Sequence, residues 1–160
     1  MHINWAHVHL MINHFPVVGV FGGILLLGYA HVRKSEEVTM ISLGVFVLIA
    51  LITVPVFLTG EGAEDVAKKI PGVTEAYIGR HEELAELSLV LIEILGALAL
   101  AGLIWLKRKG TIPPFVMILV LVMSLITSAV VGFTANLGGQ IRHTEIRDAA
   151  PPAVPSLPAR

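Results

Sequence analysis

The residues best equipped for chemistry are the seven histidines. His2, His7, His9 and His14 crowd the start of the chain, His31 follows, and His81 and His143 stand far downstream. The last two share a local pattern. Arg80-His81-Glu82-Glu83 and Arg142-His143-Thr144-Glu145 both read Arg-His-x-Glu. A neutral imidazole offers one ring nitrogen to a metal, and a carboxylate can orient the other N–H. An arginine fork binds carboxylates. Together these suit a haem, with axial imidazoles for the iron and cations for the two propionates. The same residues, completed by Glu83 or Glu145, also suit a bare zinc, copper or iron ion. On one helix His7 and His14 share a face two turns apart. His9 and His14 would diverge by about 140°, so joint ligation needs a bend at Asn13 or Pro16. The plainer reading is that histidines sit well at a membrane boundary.

The elements that must position these histidines are apolar spans. Hydrophobic residues make up 55% of the chain and charged residues 14%, against about a half and a quarter in soluble proteins. A bilayer crossing takes about 20 mostly apolar residues. Four stretches qualify, near 9–32, 38–58, 84–106 and 113–135. Backbone groups in lipid must be satisfied within the segment, so all four are expected to be helices of an all-α integral membrane four-helix bundle. Pro113 and Pro114 suit a helix start, whereas Pro16 and Pro55 fall inside apolar runs and should bend them. The start of the chain lacks a basic n-region, so the first span is expected to be retained. The four-span domain covers 1–148, with a surface segment at 60–81 carrying a short amphipathic helix from Ala63 to Ile70. A proline-rich tail at 149–160 should be extended and mobile.

Charge sets the expected orientation. The short links after spans one and three hold Arg33, Lys34, Lys107, Arg108 and Lys109, five of the eleven Lys and Arg residues. Short basic links stay on the cytoplasmic side. Both termini and every histidine except His31 then face outward from a bacterial cytoplasmic membrane. Each half reads histidine, span, basic link, span and glycine-rich exit, a faint two-fold repeat that two helical hairpins could also produce by chance.

Other residues carry weaker signals. Glu93 falls mid-span, where a carboxylate is costly and marks function by default. With Glu82 and Glu86 it forms an acidic stripe, a possible proton or ion path. The alternative is a hydrogen bond from Glu93 to Ser124, Thr127 or Ser128. Gly19 and Gly23 form G-x-x-x-G, with Gly22 and Gly28 nearby, which means close helix packing or room for a flat cofactor. Trp5 and Tyr77 at one boundary, and Tyr29 and Trp105 at the other, fit interfacial belts. The absence of cysteine excludes disulfides, iron–sulfur clusters and covalent haem attachment. No nucleophile elbow, P-loop or dinucleotide fingerprint occurs. Near-neutral net charge gives no reason to expect nucleic acid.

The run His9-Leu10-Met11-Ile12-Asn13-His14-Phe15-Pro16 resembles the H-P-x-x-V-H-F-P signature of a family of small four-span bacterial membrane proteins without an established activity. Both histidines and Phe-Pro match, while Leu10 and Asn13 depart from it. Thr59-Gly60, the histidine before span three and Gly138-Gly139 are similar too. The resemblance implies the four-span fold and draws attention to His9, His14 and His81. From the residues themselves, the expected function is a b-type haem electron-transfer subunit, more an accessory subunit than a stand-alone enzyme. His14 and His81 are the first expected ligand pair and His9 and His143 the second. His7 is a further candidate, and Arg80 and Arg142 would hold propionates. The expected partner is a periplasmic or membrane redox protein. The alternatives are a histidine-rich membrane protein or enzyme using Zn, Cu or Fe, and a structural subunit of a larger membrane complex.

Overall fold

The computed structural model describes residues 4–147. Six α-helices and one short 3₁₀ turn make up the described chain: α1 (Trp5–Ile12), α2 (His14–Arg33), α3 (Glu36–Leu58), α4 (Gly60–Ala67), α5 (Glu75–Lys109) and α6 (Pro114–Arg142), then Thr144–Ile146. Four helical runs are long and apolar enough to cross a membrane: Trp5–Arg33, Glu36–Ala67, Glu75–Lys109 and Pro114–Arg142. The expected all-α four-helix bundle is therefore what the chain forms. His2 and the proline-rich tail lie outside the described residues.

Local chemistry explains where the helices start and stop. Lys34 adopts a left-handed conformation after α2 (φ 52°), and the Ser35 hydroxyl accepts from the Val38 N–H to start α3. Glu36 and Glu37 then sit in the first turn, where the helix dipole favours negative charge. At the same end of the bundle, Gly110 (φ 74°) terminates α5 directly after Lys107, Arg108 and Lys109. Those cations complement the negative end of that dipole. Pro114 opens α6, where its missing N–H would have no partner anyway.

The four long helices pack as two hairpins, α2–α3 and α5–α6, joined chiefly along α3 and α5 and closed by α2 against α6. Inside, Leu27, Leu43, Phe46, Leu95, Ala99 and Val120 form one cluster, and Val20, Ile49, Ala50, Ile92 and Val131 form another. Large apolar side chains also cover the outside, as with Leu25 at 74% and Leu51 at 69% exposure. Such a surface suits hydrocarbon. Lipid removes the hydrophobic drive between helices, so close packing and buried hydrogen bonds must hold the bundle. Ser42 donates to the Gly23 carbonyl at 2.8 Å, and Gly96 lets α5 approach Ala50 of α3.

Three sequence expectations change in detail. The third helix begins at Glu75, not near Leu84, and its 35 residues reach about 52 Å at 1.5 Å each. About 20 Å of it therefore extends beyond a 30 Å hydrocarbon layer. The surface helix spans Gly60–Ala67, one turn earlier than Ala63–Ile70, because Thr59 passes α3 into α4 with almost no interruption. Tyr77 is buried, with the Arg147 guanidinium 4.3 Å above its ring. It is a packing residue and not part of an interfacial belt.

Candidate functional site at the histidine end of the bundle

The first span breaks at Asn13, between α1 and α2. Pro16 explains the break, since it offers no N–H to Ile12 and its ring crowds that carbonyl. Asn13 keeps helical backbone angles (φ -65°, ψ -18°), so His9 and His14 stay about 140° apart around the run. His9 is half-buried and its Nδ1 lies 3.1 Å from the Val56 carbonyl and 3.1 Å from the Thr59 hydroxyl, at the end of α3. Thr59 itself donates to the Val56 carbonyl at 2.8 Å. A carbonyl only accepts, so Nδ1 of His9 carries the proton and Nε2 is left with a free lone pair when the ring is neutral.

His81 repeats the arrangement in the second half. Its Nδ1 donates to the Thr134 carbonyl near the end of α6 at 3.0 Å. Thr134 is fixed in turn: its hydroxyl reaches the Leu84 and Val130 carbonyls and pairs with Ser88 at 2.8 Å. Gly138 makes room for the imidazole, for a Cβ there would stand 3.1 Å from Cε1 of His81. Gly60 plays a looser version of that part, 3.9 Å from Cε1 of His9. In each hairpin, then, a histidine on the outgoing segment is pinned to a carbonyl near the end of the returning helix.

The remaining candidates stand apart. His7 and His14 are exposed, without side-chain hydrogen bonds among the described residues. His143 is exposed and pairs with Glu145 at 2.8 Å. The Glu145 carboxyl is held below its ordinary range by its own backbone N–H and then by His143. Arg80 and Arg142 are exposed at the same end. Among the described residues, no three His, Asp or Glu side chains gather as a metal cluster. The structure thus anchors His9 and His81 each to a backbone carbonyl, while His14, in the first expected ligand pair, is exposed and makes no side-chain hydrogen bond among the described residues.

The acidic stripe and the glycines also resolve. Glu82, Glu86 and Glu93 all lie exposed on α5. Glu93 does not reach Ser124, Thr127 or Ser128, which are sealed inside the bundle. Ser124 and Ser128 donate to carbonyls of their own helix. At Gly19 and Gly23 the space a Cβ would take is filled by Ile49 and Phe46, so these glycines serve helix packing and leave no slot for a flat ring.

Sequence reasoning missed Thr134, Gly138 as the seat of a ring, and Arg147. Arg147 donates to the Gln140, Ile141 and Gly72 carbonyls, tying the end of α6 to the loop before α5. Its role had no local signal, because its partners are backbone groups. Lys68 pairs with Glu64 one turn earlier on α4, which holds the lysine above its ordinary range. These features define a membrane-spanning four-helix bundle with two anchored imidazoles at one end. No family profile, characterised protein or solved structure matches the chain, so the likeness of its first motif stands on those residues alone.

Proposed function

We propose that the chain is a b-type haem electron-transfer protein of the bacterial cytoplasmic membrane, with His9 and His81 as axial ligands. One observation carries this reading: two imidazoles on different helices, each with Nδ1–H fixed to a backbone carbonyl and Nε2 available. Such anchoring sets the tautomer and aim of a metal-ligating histidine. A low-spin haem takes two protein ligands, and two anchored imidazoles suit that number, whereas structural zinc takes four. Arg80 and Arg142 supply cations at the same end for propionates. Haem, when bound, supplies one-electron exchange, and two imidazoles leave the iron no open position for oxygen chemistry.

The histidine end is the extracytoplasmic one in this reading, because five of the eleven Lys and Arg residues flank the two short links at the other end. A periplasmic or membrane redox protein, or a larger membrane complex, is the corresponding partner. A bare copper, iron or zinc ion on the same pair is the second reading. It is favoured by the filling of the space beside Gly19 and Gly23, since an ion needs no slot.

An absorption spectrum of protein purified from haem-replete cells separates the two. Sharp visible bands of reduced low-spin haem are expected, lost or shifted in His9→Ala and His81→Ala and kept in His31→Ala. A colourless preparation carrying stoichiometric copper or zinc overturns the haem reading.

A further inference from the structure

Glu93 stands in the membrane-crossing part of α5, 12 residues after His81 and 14 before Lys107. At 1.5 Å per residue it lies about 18 Å from one and about 21 Å from the other along the helix. It is near mid-depth and it is exposed. The inward face of α5 is Ser88, Ile92, Leu95, Gly96, Ala99, Gly102 and Leu106. Glu93 belongs to the opposite face, which turns away from α3 and α6. Intramembrane carboxyls ordinarily face a bundle interior or a water-filled cavity. No other Asp, Glu, Lys or Arg occupies the middle of any span, so the chain cannot satisfy Glu93 by itself.

We propose that this face of α5 binds the same face of a second copy of the chain, with the two Glu93 carboxyls hydrogen-bonded across a two-fold axis. Three features favour a second copy as the occupant. In hydrocarbon a carboxyl is far cheaper as the acid than as the anion. The acid has one O–H donor and spare acceptor capacity, so it is complementary to itself. A two-fold contact sets the same patch against itself, which places each Glu93 beside its counterpart. Along the same line, Ala97 and Ala101 are exposed at successive four-residue steps, and small side chains let two helices come close. Val90, Ile94, Leu100 and Ile104, each 45–53% exposed, flank that line with apolar surface of ordinary helix–helix character. The pairing is independent of any cofactor at the histidines.

The lack of native cysteine makes the test direct. Ala97→Cys is expected to give an oxidative cross-link between two copies in native membranes. Leu25→Cys, exposed on α2, should not. In proteoliposomes Glu93→Val is expected to weaken self-association about three- to thirty-fold, the range for hydrogen bonds between membrane helices. Glu93→Gln, whose amide also donates and accepts, should keep most of it. Because position 93 faces outward, helix content by circular dichroism should be unchanged in both variants. A monomeric protein at every lipid ratio, equal cross-linking from Leu25→Cys, an Ala97→Cys adduct with a different protein, or undiminished association in Glu93→Val would overturn the proposal.

Discussion

Gly138→Ala tests whether the imidazole of His81 is held by its surroundings or merely rests against them. An added Cβ would fall 3.1 Å from Cε1 and 3.2 Å from Nδ1 of His81. Carbon contacts settle near 3.5–4.0 Å, so the ring must retreat by about half an ångström. That retreat stretches the 3.0 Å bond from Nδ1 to the Thr134 carbonyl. Losing such a bond costs about 1 kcal/mol net. Alanine recovers roughly 1 kcal/mol over glycine inside a helix. Thermal stability should therefore move by no more than about 1 kcal/mol, while the His81 Nδ1–H signal in nitrogen-15 NMR shifts and its exchange with water quickens. Gly132→Ala is the control, since its Cβ would meet only Phe21 at an ordinary 4.0 Å. A His81 resonance unmoved in Gly138→Ala, or a stability loss above about 3 kcal/mol, would refute the reasoning.

Four further outcomes follow from the packing and the site. Gly96→Ala should destabilise by about 1–3 kcal/mol, because its Cβ would stand 2.5 Å from that of Ala50 at the α3–α5 contact. Gly22→Ala, with no atom within 4 Å, should be neutral or slightly stabilising in the same denaturation assay. Thr59→Val removes the hydroxyl between His9 and the Val56 carbonyl, and should cost about 1 kcal/mol while moving the His9 ring signals. An unchanged His9 spectrum would count against the anchoring of that ring. The Glu145 carboxyl is held low in the folded chain, so its pairing with His143 is present above the ordinary carboxylate range and is lost as pH falls through the lowered value. Protection of the Ile146 amide, which bonds back to the His143 carbonyl, should then fall in acid relative to its intrinsic exchange rate, and Glu145→Gln should show no such loss of protection.

The sequence by itself determined the fold class, since four apolar stretches of membrane-crossing length leave the backbone no alternative to helices. It also marked the start of the last helix, because Pro113 and Pro114 act through their own backbone geometry. Which histidines are anchored was decided only by the tertiary structure. His9 and His14 look equivalent as residues, yet five positions of helix set them about 140° apart, and packing puts one against Thr59 and leaves the other exposed. The carbonyls of Val56 and Thr134 that anchor the rings leave no mark in a sequence, because every residue has a carbonyl and only folding selects which one a distant imidazole meets. The same holds for Glu93. Its cost was legible from its place in an apolar run, but its facing away from Ser124 and Thr127 depended on how α5 is rotated against α3 and α6. That rotation follows from where Gly96 and Gly102 permit close approach, a matter of shape that composition and periodicity do not contain.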